Sequence, residues 1–260
     1  VTRSEQLLDT ARPGLTTALS KVPEVTAIFW VTKVLTTGMG ETASDFLVRR
    51  INPFVAVALG AVAFAVALSL QFRVRRYVPW VYWLAVSMVS VFGTMAADVV
   101  HIGFGVPYAV STVFFAVALA AVFGVWYATE RTLSIHSITT VRRELFYWLT
   151  VLTTFALGTA AGDLTASTMR LGYFASGVLF AVVIAVPAIA HRSLGLNAIV
   201  AFWFAYIVTR PLGASFADWL GVPASRRGLD LGTGPVTLAL AVVIAVLVGY
   251  LSRTTEATAS

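Results

Sequence analysis

Apolar residues fall in stretches long enough to cross a membrane. Charge-free runs lie between Arg50 and Arg73, Arg76 and Asp98, Asp98 and Glu130, Arg170 and Arg192, and Asp230 and Arg253, each sufficient for the roughly 20 residues a spanning helix needs. Stretches around Trp30, Trp148 and Trp203 have the same length but carry charges. The pattern predicts eight helices, at about 23 to 48, 52 to 71, 77 to 101, 106 to 128, 144 to 168, 173 to 191, 197 to 220 and 233 to 252.

The polar positions within these stretches recur. An aromatic residue and Trp are followed, after nine intervening residues, by Gly and, after four more, by Asp: Phe29-Trp30, Gly40, Asp45; Tyr82-Trp83, Gly93, Asp98; Tyr147-Trp148, Gly158, Asp163; Phe202-Trp203, Gly213, Asp218. The chain holds only six Asp and seven Trp, so four matched copies mark a tandem repeat. Each copy comprises one motif helix and one plainer helix, so all four motif helices cross in the same direction. The expected architecture is an all-α integral membrane protein of eight transmembrane helices, arranged as four two-helix repeats with pseudosymmetry about the membrane normal. Repeats are placed at about 23 to 75, 76 to 130, 142 to 192 and 195 to 252, between an N-terminal segment (1 to 22) and a C-terminal tail (253 to 260).

Composition agrees, with 58% hydrophobic and 12% charged residues and a mean hydropathy of +0.86. Residues 1 to 22 are polar and mixed in charge, so no cleavable signal is expected there. Lys21 and ten Arg (3, 12, 73, 75, 76, 131, 142, 143, 192, 253) fall on the side of the N-terminus, against Arg49, Arg50, Arg170, Arg226 and Arg227 on the other. Both termini are therefore expected in the cytoplasm. The net charge of +6 reads as topology and attraction to lipid headgroups, with no nucleic-acid motif. Absence of cysteine removes disulfides and thiolate metal sites.

Trp30, Trp83, Trp148 and Trp203 are either interfacial anchors or packing between repeats. Gly40, Gly93, Gly158 and Gly213 read as points where helix backbones meet, the alternative being local breaks that free carbonyls for an ion. The four Asp come to similar depth, where an acid costs about 2.5 to 3.5 kcal/mol. They either cap and lock helices or cluster as oxygen ligands or proton carriers about the axis.

Residues present in one copy alone are the better site candidates. Lys33, Thr37, Glu41 and Asp45 form a four-residue ladder on the first helix. Glu41 and Asp45 can share a cation or proton, and Lys33 can neutralise Glu41 when no cation is bound. Arg210 is an intramembrane Arg whose expected partner is an acid, beside Pro211, which is expected to kink its helix. His101, one turn after Asp98, is a candidate accessory ligand, as is Thr37; His136 and His191 are assigned to the surface. Hydroxyls on the odd helices (Thr36, Ser87, Ser90, Thr153, Thr154) either bond to the preceding turn or line an aqueous path.

The arrangement resembles a family of bacterial membrane proteins of unknown function built from four tandem repeats, each of two transmembrane helices and a tryptophan. The Trp, Gly and Asp sets carry the resemblance, with Lys-Val-Pro-Glu at 21 to 24 and Gly-Glu-Thr-Ala-Ser-Asp at 40 to 45. It implies the architecture and a bacterial inner-membrane location, and it supplies no activity. Copies differ in length, with Trp-to-Trp separations of 53, 65 and 55 residues.

From the residues, the leading expectation is a transporter for a divalent cation, Mn²⁺ export first. Its metal ligands would be Glu41, Asp45, Asp98, Asp163 and Asp218, with Lys33 and Arg210 compensating charge. The metal is substrate, and no permanent cofactor is expected. Alternatives are a proton- or cation-coupled small-solute transporter, a cation channel, or a structural or sensor protein. No Cys, His-Glu-x-x-His or Gly-x-Ser-x-Gly is present, so no enzyme is expected. The expected partners are the lipid bilayer and a metal ion or proton; the oligomeric state is left open.

Overall fold

The computed structural model describes residues 20–259. Most of the expected N-terminal segment, with Arg3 and Arg12, lies outside the described residues. The eight helices are α1 (Ala27–Arg50), α2 (Pro53–Arg73), α3 (Pro79–Asp98), α4 (Tyr108–Glu130), α5 (Val141–Asp163), α6 (Tyr173–Leu194), α7 (Ala198–Gly221) and α8 (Thr233–Ala259). Starts are set by local chemistry: Thr26 and Thr140 accept from Phe29 N and Arg143 N, and Asn52 caps the helix that opens on Pro53. Single π-helical turns, Val99–Gly103 and Leu164–Thr168, follow directly on Asp98 and Asp163. With the π-helical turns counted, two boundaries lie more than about three residues from expectation. Segment 20 to 26 precedes the first helix without joining it, and α8 runs on to Ala259 because its polar last residues continue the helix beyond the apolar stretch.

Seven of these helices are long and apolar enough to cross a membrane. The eighth, α1, has the length but carries Lys33, Glu41, Asp45, Arg49 and Arg50. Burial sorts the helices into two shells: 61% of the spanning window is buried in α3, α5 and α7, against 17–22% in α2, α4, α6 and α8. In the inner shell α1 packs on α3, α3 on α5, α5 on α7, and α7 back on α1. The motif helices therefore form a closed ring. Each outer helix leans on the motif helix of the next repeat: α2 on α3, α4 on α5, α6 on α7, and α8 on α1.

The repeated residues make the joints of this ring. At one end, Phe29 packs on Trp83 (5.7 Å between centroids), Tyr82 on Trp148 (5.8 Å), Tyr147 on Trp203 (6.1 Å) and Phe202 on Trp30 (5.6 Å). Each copy's aromatic touches the next copy's Trp, so these Trp are packing residues; Trp83, Trp148 and Trp203 are buried. About ten residues further along, the glycines do the same. A methyl group on Gly40 would strike Ser90. On Gly93 it would come within 2.8 Å of Phe155 Cβ, on Gly158 it would strike Arg210, and on Gly213 it would strike Thr37 and approach the Val34 carbonyl oxygen at 2.5 Å. Those four struck residues occupy one equivalent position, seven after each Trp. The backbones meet there because no side chain intervenes. α7 continues through Pro211, whose Cδ lies 3.0 Å from the same hypothetical methyl on Gly158, so the proline packs into the joint.

Candidate functional site

Co-directional helices in a ring stack their equivalent residues in levels about 6 Å apart for every four residues. Counting from each Trp, the levels facing the axis are Lys33, Val86, Val151, Tyr206 at +3; Thr37, Ser90, Phe155, Arg210 at +7; Glu41, Thr94, Thr159, Ala214 at +11; and Asp45, Asp98, Asp163, Asp218 at +15. The copies diverge most at +3, +7 and +11.

Arg210 is the hub. It is 1% exposed and reaches all three other motif helices. Its Nη2 donates to Glu41 Oε2 at 2.5 Å, to Thr159 Oγ1 at 2.8 Å and to Thr94 Oγ1; Nη1 donates to the Thr37 carbonyl at 3.3 Å. The two threonines are oriented for this. Thr94 Oγ1 donates to Ser90 O (2.9 Å) and Thr159 Oγ1 to Phe155 O (3.0 Å), which spends each hydroxyl proton and leaves lone pairs for the guanidinium. A buried Arg-carboxylate pair supported by further hydrogen bonds is tolerated in a low-dielectric interior, whereas either charge alone is not; Arg210 Nε has no partner among the described residues.

Lys33 does not meet Glu41. Its Nζ lies over the rings of Phe155 and Tyr206, 4.1 and 4.3 Å from their centroids, and has no hydrogen-bond partner among the described residues. Arg210 takes the neutralising role because the ring joint aims its long side chain across the axis, while Lys33 sits two turns from Glu41 along its own helix. The Thr37 hydroxyl is likewise occupied, donating to Val34 O at 2.6 Å and Thr209 O at 3.1 Å.

Above the hub, all four Asp lie within electrostatic range of Glu41. Asp45 is held by Arg49 at 2.6 Å. Glu41, Thr159, Asp163, Tyr173, Ser215 and Asp218 border a narrow cleft whose water-accessible core is about 10 Å³, room for about one water molecule. Arg226, bonded to the Tyr173 hydroxyl, lies within electrostatic range of Asp45 and Asp163. Among the described residues no three His, Asp or Glu side chains converge closely enough to hold a metal ion; of the five expected ligands, Glu41, Asp163 and Asp218 border the cleft, and Asp45 and Asp98 are not among its lining residues. His101 turns away from that role: on the π-helical turn after Asp98 it pairs through Nδ1 with Ser111 Oγ at 3.0 Å and packs on Tyr108. A larger cavity of about 450 Å³, lined by Trp30, Ile135, His136, Ile184, His191 and Phe202 among others, is apolar and contains no acid.

Sequence reasoning missed Thr94 and Thr159. Their signal was present: the residue after the repeated Gly is Glu, Thr, Thr and Ala in the four copies. It also missed the closure of the Trp end, where Lys21 Nζ pairs with the buried Glu144 at 2.5 Å and Gln71 Nε2 donates to the other carboxylate oxygen at 3.1 Å. Lys21 N and Ser20 O also bond to Ile138 O and Tyr77 N, strapping segment 20 to 22 across that end.

Neither a curated protein nor a solved structure matches the chain. The family described as Repeat of Unknown Function (DUF347) matches it four times, at residues 28–77, 81–132, 146–194 and 201–257, and the chain belongs to that family.

Proposed function

We propose that the protein is a membrane transporter for a cation, with Mn²⁺ export as the form to test first, and that the acidic end of the ring is its binding chamber. One observation carries this reading: four Asp stand within electrostatic range of Glu41, whose charge Arg210 holds at the axis. Intramembrane carboxylates facing one another rather than lipid mark an ion or proton path. Oxygen donors without thiolates suit hard or borderline cations. An entering cation competes with Arg210 for Glu41 and draws Asp side chains inward, and release lets the guanidinium return. The packed axis favours a carrier over an open conduit. Because the acids form no ready cage, a second reading uses them as proton carriers for a coupled small solute. We place the protein in the bacterial inner membrane with both termini cytoplasmic and the Asp end toward the outer face, following the Lys and Arg distribution.

Flux of Mn²⁺, Mg²⁺, Ca²⁺, Na⁺ and K⁺ in proteoliposomes, with a metal survey of a deletion strain, tests this. Asp45→Asn and Glu41→Gln are expected to abolish flux while the protein remains in the membrane. Wild-type flux from both variants retires the ligand assignment, and no cation flux from the parent protein favours the proton-coupled solute reading or a structural or sensor role.

A further inference from the structure

The acids are absorbed by the reading above, but Lys33 is not. It is 1% exposed and its Nζ lacks a hydrogen-bond partner among the described residues. The groups facing it are Phe155 from α5 and Tyr206 and Arg210 from α7, with Val86 of α3 at its own level. Arg210 repels it, its Cζ lying 5.5 Å from the centroid of the same Phe155 ring. The acids of α3, α5 and α7 are at the helix ends: Asp98, Asp163 and Asp218 lie about 18 Å further along, and Glu144 about 10 Å back toward the Trp end. Tyr82 and Tyr147, joined hydroxyl to hydroxyl at 2.5 Å, are the titratable groups between Lys33 and that end. Two aromatic faces offset part of the cost of charging Lys33, and an enclosed intramembrane lysine without an anion beside it is a functional site by default. Lysine, unlike arginine, exchanges its proton. Ser90 Oγ and Arg210 Nε, on residues of the level between Lys33 and Glu41, also lack a hydrogen-bond partner among the described residues.

We propose that Lys33 carries the coupling proton of a cation/proton exchanger, the axis accommodating either the Lys33 ammonium or a cargo cation at Glu41 but not both. This rests on the transport reading and assigns its driving ion. When the cation binds, one N–H bond of Lys33 breaks, the electron pair stays on Nζ and the proton passes to water on the Trp side. When the cation leaves, Nζ binds one proton again. Exchange of one divalent ion for one proton moves one net charge.

The experiment uses proteoliposomes with a pH dye inside and Mn²⁺ added outside, repeated with Mg²⁺, Ca²⁺, Na⁺ and K⁺. The parent protein is expected to expel protons as the cation enters. In Lys33→Met the proton counterflow should fall by about a hundredfold while cation self-exchange persists and Tm is unchanged or raised. Lys33→Arg, with a charge it cannot shed, should stop both. Parent-like proton counterflow in Lys33→Met overturns the proposal while leaving transport standing, as does a parallel loss of Tm and both fluxes, which marks a structural lysine. Absence of flux for all five cations in the parent protein sinks the cation-transport reading and this one together.

Discussion

The two ends of the inner ring are built on the same four helices and the same repeat, but they are held together differently. At the Trp end every joint is alike, an aromatic of one copy against the Trp of the next, with centroid distances of 5.6–6.1 Å around the circle. Past the glycines the equivalent positions diverge into Thr37, Ser90, Phe155 and Arg210, then Glu41, Thr94, Thr159 and Ala214, and a single guanidinium ties all four helices. Repetition builds the container and divergence furnishes it. Identical joints spread the cohesion evenly, so no one of them sets chemistry. Unlike side chains at one level of a closed ring are forced to face each other, which is how an Arg and a Glu from separate copies meet.

The sharpest way to break this comparison is to unpair the hub. Arg210→Met leaves Glu41 buried without its counter-ion and should cost about 3 to 5 kcal/mol, read as a loss of Tm in detergent. The double variant Arg210→Met/Glu41→Leu should recover most of that loss, and additive losses would show that the pair is not a unit. A smaller effect tests the joints. Gly93→Ala must push against Phe155 and should cost about 1 to 3 kcal/mol. Gly124→Ala in the outer helix α4, where a methyl meets nothing within 4 Å, should instead stabilise by up to about 1 kcal/mol. Equal effects at the two glycines would remove the distinction between ring and outer shell. The smallest stability change belongs to Asp45→Asn. Its partly exposed pair with Arg49 one turn away is worth about 0.5 kcal/mol, so thermal melts should hardly move while cation flux disappears.

Some of the site was legible before the structure. The motif register placed the four Asp at one depth and the glycines at close contacts, because spacing along a helix converts directly into height and facing. The Lys33, Thr37, Glu41, Asp45 stripe of α1 was visible for the same reason. Its pairing was not: nearness on one helix suggested that Lys33 would serve Glu41, whereas the joints deliver Arg210 from α7 to that carboxylate and leave Lys33 between two rings. Asp98-x-x-His101 offered His101 as a candidate accessory ligand, but the π-helical turn after Asp98 carries His101 to Ser111. The strap formed by Lys21 and Glu144 joins residues 123 positions apart, a separation at which no local pattern operates.

Sequence alone thus determined the membrane class, the number of helices, the fourfold repetition and the spacing of polar groups along each helix, since all of these follow from hydropathy and helical rise within single segments. Which helix neighbours which, how the circle closes, and which charge neutralises which were decided by the tertiary structure. Those outcomes depend on the rotation of each helix about its own axis, and that rotation is settled only when aromatic, glycine and side-chain surfaces of different copies interlock.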